Sequence, residues 1–177
     1  MRIISGQHKG RTIEVHKKFT ARPTTDYAKE SIFNIIANHF DFEDLSVLDL
    51  FSGTGSISYE FASRGCKSVH AIEIEPRSAA FIKKNSDTLN MGIKIWKMDA
   101  FSFIARGKEK FDIIFADPPY DLDKLKNIPE LILKSDLLQV GGWLILEHGK
   151  DNSFDNNPLI IDKRTYGSVH FSIFKKQ

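Results

Sequence analysis

Apolar residues recur along this chain with two periods that alternate. Ala28, Ile32, Ile35, Ile36 and Phe40 fall at helical spacing on one face. They follow Arg22-Pro23-Thr24-Thr25-Asp26, where a proline, two hydroxyl side chains and an acid predict a helix start, with negative charge near the positive end of the helix dipole. From Leu45 the pattern changes. Ser46 to Phe51 is a short apolar run, a predicted strand, that stops at Ser52-Gly53-Thr54-Gly55. A helix follows, with Ile57, Phe61 and Ala62 inward and Gly65 placed to end it. Lys67 to Ile74 is the next predicted strand, and Pro76 opens a helix in the first turn, where its missing N–H costs nothing.

The same alternation continues. Strands are predicted at Ile93 to Trp96, Phe111 to Ala116 and Trp143 to Glu147, with a helix around Lys124 to Lys134 before the last of them. Leu159-Ile160-Ile161 and Val169 to Phe174 are strand-like and joined through Tyr166-Gly167-Ser168, which predicts a closing hairpin. Residues 1–15 alternate loosely around Gly6 and Gly10, as a small β-hairpin would. Strands alternating with helices read as βαβ units on a mostly parallel, twisted α/β sheet covered on both faces. No linker-like stretch interrupts the run. The expected organisation is an N-terminal basic hairpin and connector over residues 1–24 and one domain over 25–177.

The chain's 177 residues, 41% hydrophobic and 27% charged, fit one globular domain with its own core. No apolar run approaches the roughly 18 residues of a membrane span, and the first residues lack the pattern of a secretory signal. Cys66 is the single cysteine, so internal disulfides and cysteine metal cages are excluded, and a cytoplasmic location is expected. Net charge is +2, but the first 30 residues carry seven basic side chains against three acidic ones. A basic end on a near-neutral body suggests a local polyanion contact or a solvated hairpin.

The candidate chemistry gathers at predicted strand ends, where open α/β sheets bind ligands. Gly53 and Gly55 let the backbone turn tightly and approach a ligand. Position 58 is Ser, so the third glycine of the dinucleotide fingerprint is missing, and no P-loop lysine follows. Asp49, before the loop, suits a ligand with a cationic end. Glu73, 20 residues after Gly53, is placed to accept the ribose hydroxyls of an adenosine ligand. Asp99, in Met98-Asp99-Ala100, can bond an adenine amino group, cap the next helix, or do both. Asp117-Pro118-Pro119-Tyr120 is the strongest signal. Two prolines lock an extended turn, so that the Asp117 carboxylate and the Pro118 carbonyl can face one point as acceptors. Two such acceptors can hold both hydrogens of an exocyclic amine, Asp117 stabilises the charge that develops on its nitrogen, and Tyr120 offers a ring for the target base. The six histidines lack metal-ligand spacing, Trp96 and Trp143 are expected in the core, and Cys66 is expected to be structural.

Asp49-Leu50-Phe51-Ser52-Gly53-Thr54-Gly55 followed by Asp117-Pro118-Pro119-Tyr120 resembles the class I S-adenosylmethionine-dependent amino-methyltransferases. The start Arg2-Ile3-Ile4-Ser5-Gly6 with Lys9-Gly10-Arg11, the stretch Arg22-Pro23-Thr24-Thr25-Asp26 leading to Glu30-Ser31-Ile32-Phe33-Asn34, and Tyr166-Gly167-Ser168-Val169 are similar to the RsmD family, bacterial 16S rRNA guanine-N2 methyltransferases. The resemblance spans essentially the whole chain. It implies a Rossmann-like, seven-stranded, mostly parallel sheet with a C-terminal antiparallel hairpin. It implies S-adenosylmethionine held by Arg22, Thr24, Asp49, Phe51, Gly53, Gly55, Glu73, Asp99 and Ala100. Asp117, Pro118, Pro119 and Tyr120 would be catalytic, and Lys9, Arg11, Lys17 and Lys18 would contact RNA. The implied reaction methylates a guanine of 16S rRNA, at position 966, in the assembled or partly assembled small subunit by a metal-free monomer. Three other readings are an adenine-N6 methyltransferase, a nicotinamide-dependent oxidoreductase and a non-catalytic RNA-binding module.

Overall fold

A computed structural model of the protein describes residues 1–15 and 25–177. Among them lie five α-helices, α1 (Asp26–Ala37), α2 (Ser56–Ser63), α3 (Pro76–Thr88), α4 (Ala100–Arg106) and α5 (Ile128–Lys134). The strands are β1 (Ser46–Asp49), β2 (Ser68–Glu73), β3 (Lys94–Lys97), β4 (Phe111–Ala116), β5 (Leu138–His148), β6 (Ile160–Tyr166) and β7 (Val169–Lys175). They form one sheet in the order β3-β2-β1-β4-β5-β7-β6. The five strands from β3 to β5 are parallel, and β7 runs antiparallel between β5 and β6. This is the mostly parallel α/β sheet that the alternating periods imply, in the Rossmann-like, seven-stranded form that the family resemblance implies. None of the described helices is long and apolar enough to cross a membrane.

Local chemistry sets the helix starts. Thr25 caps α1 by accepting from the Ala28 N–H, and Glu75 caps α3, which has Pro76 in its first turn. Gly65, at φ 89°, ends α2 with its N–H on the Ala62 carbonyl. The predicted helix over 124–134 is divided: a single 3-10 turn spans Leu125–Asn127, and α5 starts at Ile128. Pro129 explains the break, because it has no N–H to continue a helix from upstream.

The sheet is covered on both faces. Ile32, Phe33, Ile57, Phe61 and Ile82 of α1, α2 and α3 pack on one side with Val47, Phe115 and Ile145. Phe103, Ile128 and Ile132 pack on the other with Leu48, Ile114 and Leu146. Trp143 is buried as expected. Trp96 is not core: it is 37% exposed, because β3 is an edge strand with one flank uncovered.

The expected N-terminal hairpin is reduced to one bridge, Arg2 to Thr12, supported by Ile3 and Arg11, and its turn lies against α2 instead of standing free. Glu60 accepts from the Ile4 and Ser5 N–H groups at 2.8 and 3.0 Å, and Ser63 bonds Ser5, Gln7 and His8. A Cβ on Gly6 would come 1.9 Å from the Ser63 carbonyl oxygen, so only glycine permits this approach. The segment covers the outer side of α2, which therefore buries Glu60 and Ser63 beyond the face that periodicity predicts, while the Tyr59 ring is buried beside Gly55 and α3. Ile3 and Ile13 belong to the same core as α1 and α2. Lys29 must also be removed from the basic patch. It is 1% exposed and its ammonium donates to the Arg2 carbonyl at 2.6 Å, with Glu60 at 3.8 Å.

Candidate active site

Successive strands step one way from β1 to β3 and the other way from β4 to β5, so the order reverses between β1 and β4. At such a switch point the loops part and leave a cleft at the carboxyl ends of the strands. Asp49 closes β1 and Asp117 follows β4 directly, one on each side of the reversal. Register carries this further: Ala116 lies opposite Leu146, which brings Glu147 of β5 beside Asp117.

The loop after β1 is drawn tight by its own backbone. The Ser52 N–H donates to Ile72 at 3.0 Å, Gly55 N–H to Ser52 at 2.6 Å, and the Ser52 hydroxyl to the Asp49 carbonyl at 2.9 Å. Gly53 and Gly55 have φ of 52° and 87°, where glycine alone is unstrained. Gly55 is doubly constrained, since a Cβ there would sit 2.9 Å from the Tyr59 ring. Glu73 ties this loop to β2. One of its oxygens accepts the Gly53 N–H at 2.7 Å and the other the Glu75 N–H at 2.8 Å. Burial raises the Glu73 pKa, and those backbone donors partly offset it.

Asp99 caps α4 by accepting from the Ser102 N–H at 2.8 Å, so its capping role is present, and Ala100 is the buried first residue of that helix. Phe51 is half-buried, edge-to-face with Phe101 at 6.2 Å. Loop, Glu73, Asp99 and Phe51 thus border the same end of the sheet.

The carboxylates at the switch point are the electrostatic centre. Asp49 is fully buried and accepts from the Ser58 hydroxyl at 2.6 Å. Desolvation pushes its pKa up to about 7, with Glu73 adding and the Ser58 and Ser52 bonds opposing. Asp117 is raised well above the usual carboxylate range, first by burial and then by the charges of Glu147 and Asp49. Glu147 is 3% exposed and accepts the Tyr120 O–H at 2.9 Å. Pro118 is buried, Pro119 and Tyr120 are exposed, and the Pro119 carbonyl accepts from Leu122. Glu147 was missed in the sequence because it ends an apolar run. The strand-end rule that selects Glu73 and Asp117 selects it as well.

A pH dependence follows. Asp49 binds its proton more tightly in the folded protein, with a pKa of about 7, than an ordinary aspartate at 3.8. Between those values the native state holds more protons than the unfolded one, so this group's contribution to stability falls as pH rises. Asp49→Asn removes it. Unfolding free energy measured by denaturant from pH 4 to 8 is expected to fall, relative to the variant, as pH rises; parallel curves would refute the burial of a neutral acid here.

Of the RNA candidates, the structure describes Lys9 and Arg11, and it does not bring these two to the cleft. Lys9 is exposed in the turn beside the carboxyl end of α2, the end away from the glycine loop. Arg11 is exposed next to it. Lys17, Lys18, Arg22 and Thr24 lie outside the described residues.

The protein family described as Conserved hypothetical protein 95 matches residues 1–175. The Bacillus subtilis protein YlbH is 34% identical over the whole of both chains. The chain belongs to this family, the RsmD-type class I methyltransferases. Ribosomal RNA small subunit methyltransferase D of Escherichia coli is 34% identical over 81% of this chain and 69% of its own. Among solved structures, yhhF from Escherichia coli superposes with a TM-score of 0.87 at 27% identity, covering 100% of this chain and 98% of the other. Family membership makes S-adenosylmethionine the cofactor, and the site fits it. The causes that raise Asp117 are burial and other carboxylates, so a cationic ligand in this cleft relieves the strain among them.

Proposed function

We propose that this chain transfers a methyl group to the exocyclic N2 of a guanine in 16S rRNA, the position-966 site, in assembled or partly assembled small subunits. The observation that carries the reading is Asp117-Pro118-Pro119-Tyr120 at the switch point, set between Asp49 and Glu147 in a chain of this family. Relatives named ribosomal RNA small subunit methyltransferase D support the class of substrate.

The cofactor supplies an activated methyl on a sulfonium sulfur. Asp49, Gly53, Gly55, Phe51, Glu73, Asp99 and Ala100 would hold it, together with Arg22 and Thr24 from outside the described residues. The protein's own task is to present the amine. Asp117 and the Pro118 carbonyl take its two hydrogens, the Tyr120 ring supports the base, and the lone pair is directed at the methyl. As positive charge develops on nitrogen, ionised Asp117 stabilises it and then takes a proton. Lys9, Arg11, Lys17 and Lys18 would contact phosphates beyond the target base, an attraction that weakens with salt.

Labelled methyl transfer to small subunits from a strain lacking the enzyme, followed by nucleoside analysis, tests this. One N2-methylguanosine per subunit, at position 966, is the expected product. N6-methyladenosine, or label on no rRNA nucleoside, would overturn the reading.

A further inference from the structure

The end of β5 is built more rigidly than a strand needs. His148 is buried, with Nδ1 at 2.9 Å from the Gly149 carbonyl and Nε2 at 2.9 Å from the Ser172 hydroxyl. The Gly149 carbonyl can only accept, so Nδ1 carries the proton; burial lowers the ring's pKa, and the neutral ring then accepts at Nε2 from the Ser172 hydroxyl. Opposite, Glu147 and His148 pair with Phe171 and His170 of β7. Glu147-His148-Gly149 is therefore pinned to the sheet by both backbone and side chain.

Tyr120 leans on this fixed end at two points. Its hydroxyl donates to the buried Glu147 carboxylate at 2.9 Å. Its ring lies over the Gly149 backbone: a Cβ there would come 3.0 Å from Cδ2, with Cγ and Cε2 at 3.5 and 3.6 Å. Tyr120 itself sits in the loop after β4 and is 38% exposed; the prolines before it restrict its backbone, and these two contacts bear on its ring. We propose that Glu147 and Gly149 form a clamp that sets the plane of the Tyr120 ring, making both positioning residues for the target base. The clamp deepens, and rests on, the proposed methylation of a nucleobase at this site. Glu147 fixes the hydroxyl end and Gly149 leaves room for the ring to settle, so base stacking is prepared before substrate arrives.

Two measurements on the full chain test it. In proton NMR of the protein without substrate, a hydroxyl held by a buried carboxylate gives a slowly exchanging downfield resonance. It is expected in the wild type, lost in Tyr120→Phe, and moved or lost in Glu147→Gln. Its absence from the wild type, or its persistence unmoved in Glu147→Gln, overturns the clamp whatever the substrate proves to be. The second measurement is a cycle of methyl transfer to small subunits. Glu147→Ala is expected to lower kcat/KM roughly tenfold, with cofactor affinity within about twofold of wild type. Glu147→Gln keeps an acceptor and recovers part of the loss, and Gly149→Ala lowers transfer several-fold. In a Tyr120→Phe background the Glu147 effect disappears. Additive losses, as when Glu147 acts through its charge on Asp117, overturn the positioning role. A wild type that shows the resonance but methylates no rRNA upholds the clamp and sinks the functional reading.

Discussion

Asp117→Ala is expected to lose methyl transfer by about a thousandfold while leaving the fold no less stable than the wild type. The two halves of that result come from one cause. Asp117 stands beside Glu147 and Asp49 in a desolvated cleft, where burial and like charge oppose its ionisation. Such a residue is costly to the folded state, and removing it relieves repulsion instead of breaking a partnership. The same carboxylate is the acceptor for an amine that gains positive charge, which no remaining side chain replaces from that position. Turnover with saturating cofactor, cofactor affinity by calorimetry and the thermal midpoint near pH 8 separate the effects. A midpoint that falls together with activity would mean that Asp117 holds the loop and not the substrate.

Glu60→Ala has the largest expected cost in stability, about 3–5 kcal/mol, or a drop of roughly 10 °C in thermal midpoint for a domain of this size. Glu60 is fully buried and serves four partners: the N–H groups of Ile4 and Ser5, the Arg64 guanidinium at 2.9 Å and the Lys29 ammonium. Desolvation lowers the Lys29 pKa, and Glu60 is the main group that counters it. Without Glu60, a buried cation loses its countercharge and two backbone donors lose their acceptor together. Pairing Lys29→Met with Glu60→Gln removes both charges and keeps an acceptor, so the double variant is expected to unfold at higher denaturant than Glu60→Ala. The reverse order would show that the ion pair is not what joins the N-terminal segment to α2.

The centre of the sheet was legible because β1, β2 and β4 are buried on both faces and read as short apolar runs between glycine and proline stops; β4 begins and ends where its hydrophobic run does. Legibility failed where burial and polarity part company. The last described strand pair shows one side of this: Asp162, Lys163, Arg164 and Thr165 form most of β6, an edge strand whose charges follow from facing solvent, so no apolar alternation marks it. β5 starts five residues before its apolar run, because Gly141, at φ 82°, and Gly142 carry a register shift opposite Phe111 and Ile113. Buried charge was the other blind spot. Lys29 and Glu60 have the composition of a solvated face and become internal only because a segment distant in sequence covers them. At the site, Asp49, Glu73 and Asp117 are legible from their place at strand ends; Glu147 obeys the same rule, but only the pairing of β4 with β5 sets it beside Asp117.

The interior position of β7 bears on how the chain is made. It is the last described strand to leave the ribosome, yet it is inserted between two that precede it. Until Val169–Lys175 arrives, β5 has an open edge and the core lacks Phe171, Ile173 and Phe174. A nascent chain that stalls before β7 is therefore left with an unpaired sheet margin and an unsupported Glu147-His148 corner, the kind of surface that chaperones and proteases engage.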